Sequence, residues 1–161
     1  MHTVEISQAD KEARYRELGP QLAALVEDEP DLIANLANIT AALAEAVTAA
    51  SWVGVYIARG GELVLGPFQG KVACTRVAFG RGVCGTAASS HTIQVVPDVN
   101  LFPGHIACDA GTRSEIVVPI LRGNRVLGVL DVDSYQPAAF DEIDARHLEE
   151  VARMIADLNW R

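Results

Sequence analysis

The sequence predicts an α+β fold in two layers, an antiparallel sheet with helices gathered on one face. Three observations predict it. Two segments read as β-hairpins, one over residues 52–65 and one over residues 116–132. Segments with helical periodicity stand before the first hairpin and after the second. Between the hairpins lies an irregular stretch in which glycines, prolines and all three cysteines are interleaved. The order helix, hairpin, irregular region, hairpin, helix pairs strands that are close in sequence, which makes an antiparallel sheet.

Residues 7–28 carry Tyr15, Leu18, Leu22, Leu25 and Val26 at helical spacing, with Ser7 as the expected N-cap. Gly19-Pro20 interrupts this pattern and predicts a break or kink. A second helix is expected after Pro30, with Leu32, Ile33, Leu36, Ile39, Leu43 and Val47 on one stripe, ending near Ala49–Ser51. Trp52–Ala58 is β-branched and aromatic, Arg59-Gly60-Gly61 supplies a turn, and Glu62–Leu65 is the returning strand. The irregular middle allows a short helix from Gly82 to Ser89 and a strand at Ile93–Val96. The second hairpin joins Ile116–Leu121 to Arg125–Val132 through Arg122-Gly123-Asn124. Pro119, which has no N–H for a ladder, predicts an edge position or a bulge. Asp141, preceded by Phe140, is the expected N-cap of a last helix with His147, Leu148, Val151, Ile155 and Leu158 on its stripe.

At 161 residues the chain is expected to form a single domain, with an N-terminal helical segment over about residues 7–50. Half of its residues are apolar and 21% are charged, a globular composition. A net charge of -8 and the lack of any Lys/Arg run exclude a nucleic-acid surface. No apolar stretch reaches the roughly 18 residues that a membrane span needs. The first ten residues lack the basic and apolar regions of a secretory signal, so a cytoplasmic protein is expected. An odd number of cysteines then favours reactive or redox thiols over a structural disulfide framework.

Cys74, Cys84 and Cys108 are ten and twenty-four residues apart. Cys84 lies just inside an expected helix start and three residues from Arg81, and both features favour its thiolate. Cys74 lies between Lys71 and Arg76, and Cys108 follows His105. A zinc site using the thiols with His105 or His91 would lack the paired ligands, two to four residues apart, of structural zinc, so no metal is expected. Asp131 and Asp133 alternate along a strand and share a face, and Glu115 opens the partner strand. Three carboxylates at one end of a sheet, beside apolar neighbours, should have perturbed protonation. Trp52 and Tyr56 also share a face of their strand and could wall a pocket.

The runs Gly66–Cys74, Phe79–Ala88, Phe102–Asp109, Arg113–Pro119 and Gly128–Ser134, with Phe140-Asp141, resemble the free methionine-R-sulfoxide reductases, enzymes built on a GAF domain. The likeness spans roughly Trp52 to Leu158 and takes in all three cysteines in order. It implies a GAF-like fold whose loop-covered ligand pocket lies on the sheet face away from the helices. It also implies that Cys108 is catalytic, with Cys74 and Cys84 as resolving thiols, and that Trp52, Tyr56, Glu115, Asp131 and Asp133 bind substrate. The implied reaction is reduction of free methionine-R-sulfoxide through a cysteine sulfenic acid and a disulfide, with thioredoxin as reductant and no cofactor. The resemblance also carries the expectation of a homodimer paired through the N- and C-terminal helices, whose apolar stripes could equally be used up on the sheet. The alternative function is a non-catalytic GAF module that senses a small molecule or redox state.

Overall fold

In the computed structural model, which describes residues 1–7 and 9–161, six strands form one antiparallel sheet. They are β1 (Trp52–Arg59), β2 (Glu62–Gln69), β3 (Arg76–Ala78), β4 (Gln94–Val96), β5 (Ser114–Arg122) and β6 (Arg125–Ser134). Their order across the sheet is β3-β2-β1-β6-β5-β4. The two hairpins therefore meet in the middle, where β1 lies against β6 with Trp52 opposite Asp133. Pro119 lies beyond the end of the three-residue β4, where β5 has a free side, so it occupies the local edge its chemistry requires.

Because strand side chains alternate, the sheet divides two sets of residues between two clusters. Val53, Val55, Ile116, Val118, Ile120, Leu130 and Val132 point to one side. There they pack under α1 (Lys11–Val26), α2 (Leu32–Ala46) and α4 (Glu142–Ala156). Trp52, Tyr56, Val117 and Val129 point to the other side, toward Val83, Cys84, Ala87 and Ala88 of α3 (Gly82–Ser90). Three helices thus share the face expected for them, and the short α3 joins the loops on the opposite face. Among the described residues no helix is long and apolar enough to cross a membrane.

Two helical expectations change. The first helix starts at Lys11 with Asp10 as its cap, accepting from Ala13 N at 2.9 Å. Ser7 instead donates both its hydroxyl and its backbone N–H to Glu17. Residue 8, inside the expected helix, lies outside the described residues. The helix also runs through Pro20 without a break. Leu18 and Leu22, on either side, are almost fully buried, while Gly19, Pro20 and Arg16 face solvent. The Arg16 carbonyl that loses its partner is on the wet side, so core packing outweighs the missing bond.

The N-cap at Asp141 forms as expected, and it is a reciprocal one: Asp141 accepts from Ile143 N and Asp144 N, and Asp144 accepts from Asp141 N. Asp144 does more than cap. Buried to 1% exposure, it also accepts from the Tyr15 hydroxyl at 2.7 Å and from Lys11 at 2.6 Å, tying α1 to α4. His147 leaves the apolar stripe to stack on the Tyr15 ring at 4.8 Å.

Candidate active site

The register of the three central strands builds the floor of a pocket. Trp52, Asp133 and Glu115 form one row across β1, β6 and β5, and Gly54, Asp131 and Val117 form the next. The third row is Tyr56, Val129 and Pro119. Alternation therefore brings Glu115, Asp131 and Asp133 together on the face away from the three helices, as the sequence implies. Gly54 is needed in this floor, because a Cβ there would collide with the Trp52 ring and with Phe68. Its bare backbone lets the indole lie down and stack on Phe68 at 5.3 Å.

The carboxylates carry perturbed protonation. Burial, reinforced by Asp133, pushes the Glu115 carboxyl up to about 8. Burial likewise raises Asp131, next to Glu115, and Asp133, next to Asp131, well above the ordinary carboxylate range. Three acids this close and this dry cannot all ionise, so the cluster holds protons at neutral pH. One oxygen of Asp131 and one of Asp133 are buried with no hydrogen-bond partner among the described residues. Unsatisfied acceptors at a pocket floor suit a ligand that brings its own N–H groups.

Above this floor sit the thiols. Cys74, on the loop after β2, is disulfide-bonded to Cys108, on the loop before β5, with Cα atoms 5.4 Å apart. Cys84 is free and buried, its Sγ 3.8 Å from a Glu115 oxygen. The expectation that helix position and Arg81 favour the Cys84 thiolate is overturned. Burial first, then the charges of Asp131, Glu115 and Asp133, push this thiol well above its ordinary value. The helix terminus is a weak partial charge, and the acidic cluster beneath it is closer and drier.

Trp52 and Tyr56 line the pocket and also hold its roof. The indole N–H donates to the Lys71 carbonyl at 3.0 Å, and the Tyr56 hydroxyl donates to the Cys74 carbonyl at 3.0 Å. His105 turns toward the floor, its Nε2 3.9 Å from Glu115. Burial lowers its pKa. Tyr135 is a feature that strand patterning did not single out. Its hydroxyl donates to Asp109 at 2.7 Å, and Lys71 lies 5.4 Å over its ring. The loops of Cys74 and Cys108 therefore converge on one aromatic ring just past the end of β6. The only signal for it was an aromatic residue directly after Asp133-Ser134.

Donor atoms of Cys84, Glu115 and Asp131 lie within 4.8 Å of one another. This is not the set of three thiols and a histidine weighed from the sequence, since two of those thiols are spent on the disulfide.

Comparison with known proteins places this geometry. The GAF domain model matches residues 31–157. A solved free methionine-R-sulfoxide reductase from Neisseria meningitidis, in complex with its substrate, superposes with a TM-score of 0.94. It is 51% identical, over 97% of this chain and 94% of that one. The free methionine-R-sulfoxide reductase of Escherichia coli is 44% identical, over 88% of this chain and 86% of its own length. The chain belongs to the free methionine-R-sulfoxide reductase family of GAF-domain proteins. Protein YtsP of Bacillus subtilis is similar too, 50% identical over 96% of both chains. The GAF fold expected from the sequence is the fold observed.

Proposed function

We propose that this protein reduces free methionine-R-sulfoxide to methionine in the pocket floored by Glu115, Asp131 and Asp133. The observation that carries the reading is the Cys74–Cys108 disulfide closed over three buried, proton-holding carboxylates. It is the arrangement left by a thiol that has passed its oxidation to a neighbouring thiol.

Cys108 attacks the sulfoxide sulfur as a thiolate, and Glu115, protonated at neutral pH, gives a proton to the departing oxygen. Methionine leaves and Cys108 carries the oxygen as a sulfenic acid. The Cys74 thiol condenses with it, releasing water and forming the disulfide. An external dithiol such as thioredoxin then reduces that bond. This is chemistry of a reducing compartment, in keeping with a cytoplasmic protein. Cys84 stands outside the disulfide, so Cys74 is the resolving thiol in this reading. The unpartnered oxygens of Asp131 and Asp133 receive the substrate ammonium, which explains a preference for the free amino acid. A peptide nitrogen offers at most one of those three donors. Pairing of two copies through the terminal helices would have to use what those helices leave exposed, chiefly Ile33.

The test is turnover with dithiothreitol on separated epimers, free and peptide-bound, for the wild type and Cys108→Ser. Methionine from the free R epimer by the wild type alone is expected. No conversion by the wild type would leave a non-catalytic sensor as the better reading.

A further inference from the structure

We propose that His105 is the relay that returns a proton to Glu115 after each turnover. The inference rests on the reading of Glu115 as proton donor and adds the route by which it is recharged.

The stoichiometry requires such a route. Each cycle takes one proton from Glu115 to the sulfoxide oxygen, and that oxygen leaves as water when the disulfide forms. Reduction by a dithiol puts one hydrogen on Cys74 and releases the other as a proton, because Cys108 returns as a thiolate. Glu115 is left as a carboxylate and must recover one proton from solvent. It is buried, and Cys84 above it and Asp131 and Asp133 beside it hold their own protons tightly. The floor therefore offers no way in.

The roof does. His105 Nε2 lies 3.9 Å from Glu115 Oε2, and its side chain is 16% exposed against 9% for that of Glu115. A small side-chain rotation or one water closes that distance. The ring makes no hydrogen bond among the described residues that would fix it in a structural role. Its two nitrogens allow a proton to be taken up on one and delivered from the other. The direction is favourable as well. Burial lowers the His105 pKa below its usual 6.5, whereas Glu115 is raised to about 8, so the imidazolium protonates the carboxylate downhill. The charged and titratable groups facing the same pocket are Tyr56 on β1, Glu115 on β5, Asp131 and Asp133 on β6, Cys84 on α3, Lys71 on the loop after β2, and Asp109 beside Cys108.

His105 acts through Glu115 and is a positioning residue for its proton, so the test is His105→Gln read in two regimes. In a single turnover of reduced protein the variant should make methionine at the wild-type rate, because Glu115 begins protonated. In steady state with dithiothreitol, kcat should fall about tenfold or more with KM little changed, and added imidazole should restore it. Reduction of the oxidised variant's disulfide, measured separately, should match the wild type. Unchanged steady-state kcat would overturn the proposal, and so would a single turnover slowed in step with kcat and not rescued by imidazole. Glu115→Gln separates the two readings: a full single-turnover rate in that variant removes Glu115 as donor and the relay with it. A wild type that makes no methionine refutes the proposed function itself.

Discussion

Glutamine at position 115 would keep the size of the side chain and an acceptor for Cys84 while removing the titrating group. In the folded protein Glu115 holds its proton up to about pH 8, against 4.5 for an unperturbed glutamate. Between those values the folded state binds a proton that the unfolded state has released. Stability must therefore fall as pH rises through this window, and the contribution is fully present only below the unfolded value. From pH 5 to pH 8 the penalty accumulates over three pH units at about 1.4 kcal/mol each, or about 4 kcal/mol. Asp131 and Asp133 act with the same sign and stay in the variant. The assay is urea unfolding of wild type and Glu115→Gln at both pH values, without reductant so that the Cys74–Cys108 bond stays closed. The wild type should lose about 4 kcal/mol more than the variant between the two conditions, and the variant should be the more stable protein at pH 8. Parallel stabilities, with a difference between variant and wild type that does not change with pH, would refute a proton-holding Glu115. They would remove the physical basis for using it as an acid at neutral pH.

Three further substitutions have expected outcomes. Cys74→Ser should still make about one methionine per reduced protein and then stall with a sulfenic acid on Cys108 that a dione reagent traps. Cys84→Ser should keep turning over, because its thiol is outside the disulfide; mass spectrometry and methionine release check both. Asp144→Ala should destabilise by about 2–3 kcal/mol in urea unfolding, since it strands the Tyr15 hydroxyl in the buried α1–α4 contact.

The acidic floor was legible because its causes are local. Side chains two apart on a strand share a face whatever the fold, which placed Asp131 with Asp133. A tight turn at Gly123-Asn124 sets Arg122 opposite Arg125, and counting straight back from it would put Glu115 opposite Val132; the irregularity between Ile120 and Leu121 shifts the ladder by one residue and sets Glu115 beside Asp133. The helix stripes were legible for the same reason. Local rules failed where a distant element had the larger effect. Pro20 predicted a break, but buried Leu18 and Leu22 hold the helix through it.

The three thiols mark the boundary between the two kinds of knowledge. By itself the sequence determined that they lie between the two hairpins of the sheet, and its motifs pointed to the family. Only the tertiary structure decided which two of them bond. Cys74 and Cys108 are 34 residues apart, and their meeting depends on how two loops fold back over one sheet face. It likewise decided that Cys84 is a buried, protonated thiol rather than a helix-activated one. The physical reason is the same in both cases. Backbone periodicity is fixed by covalent geometry and acts over a few residues, whereas desolvation and loop closure depend on the whole packed chain.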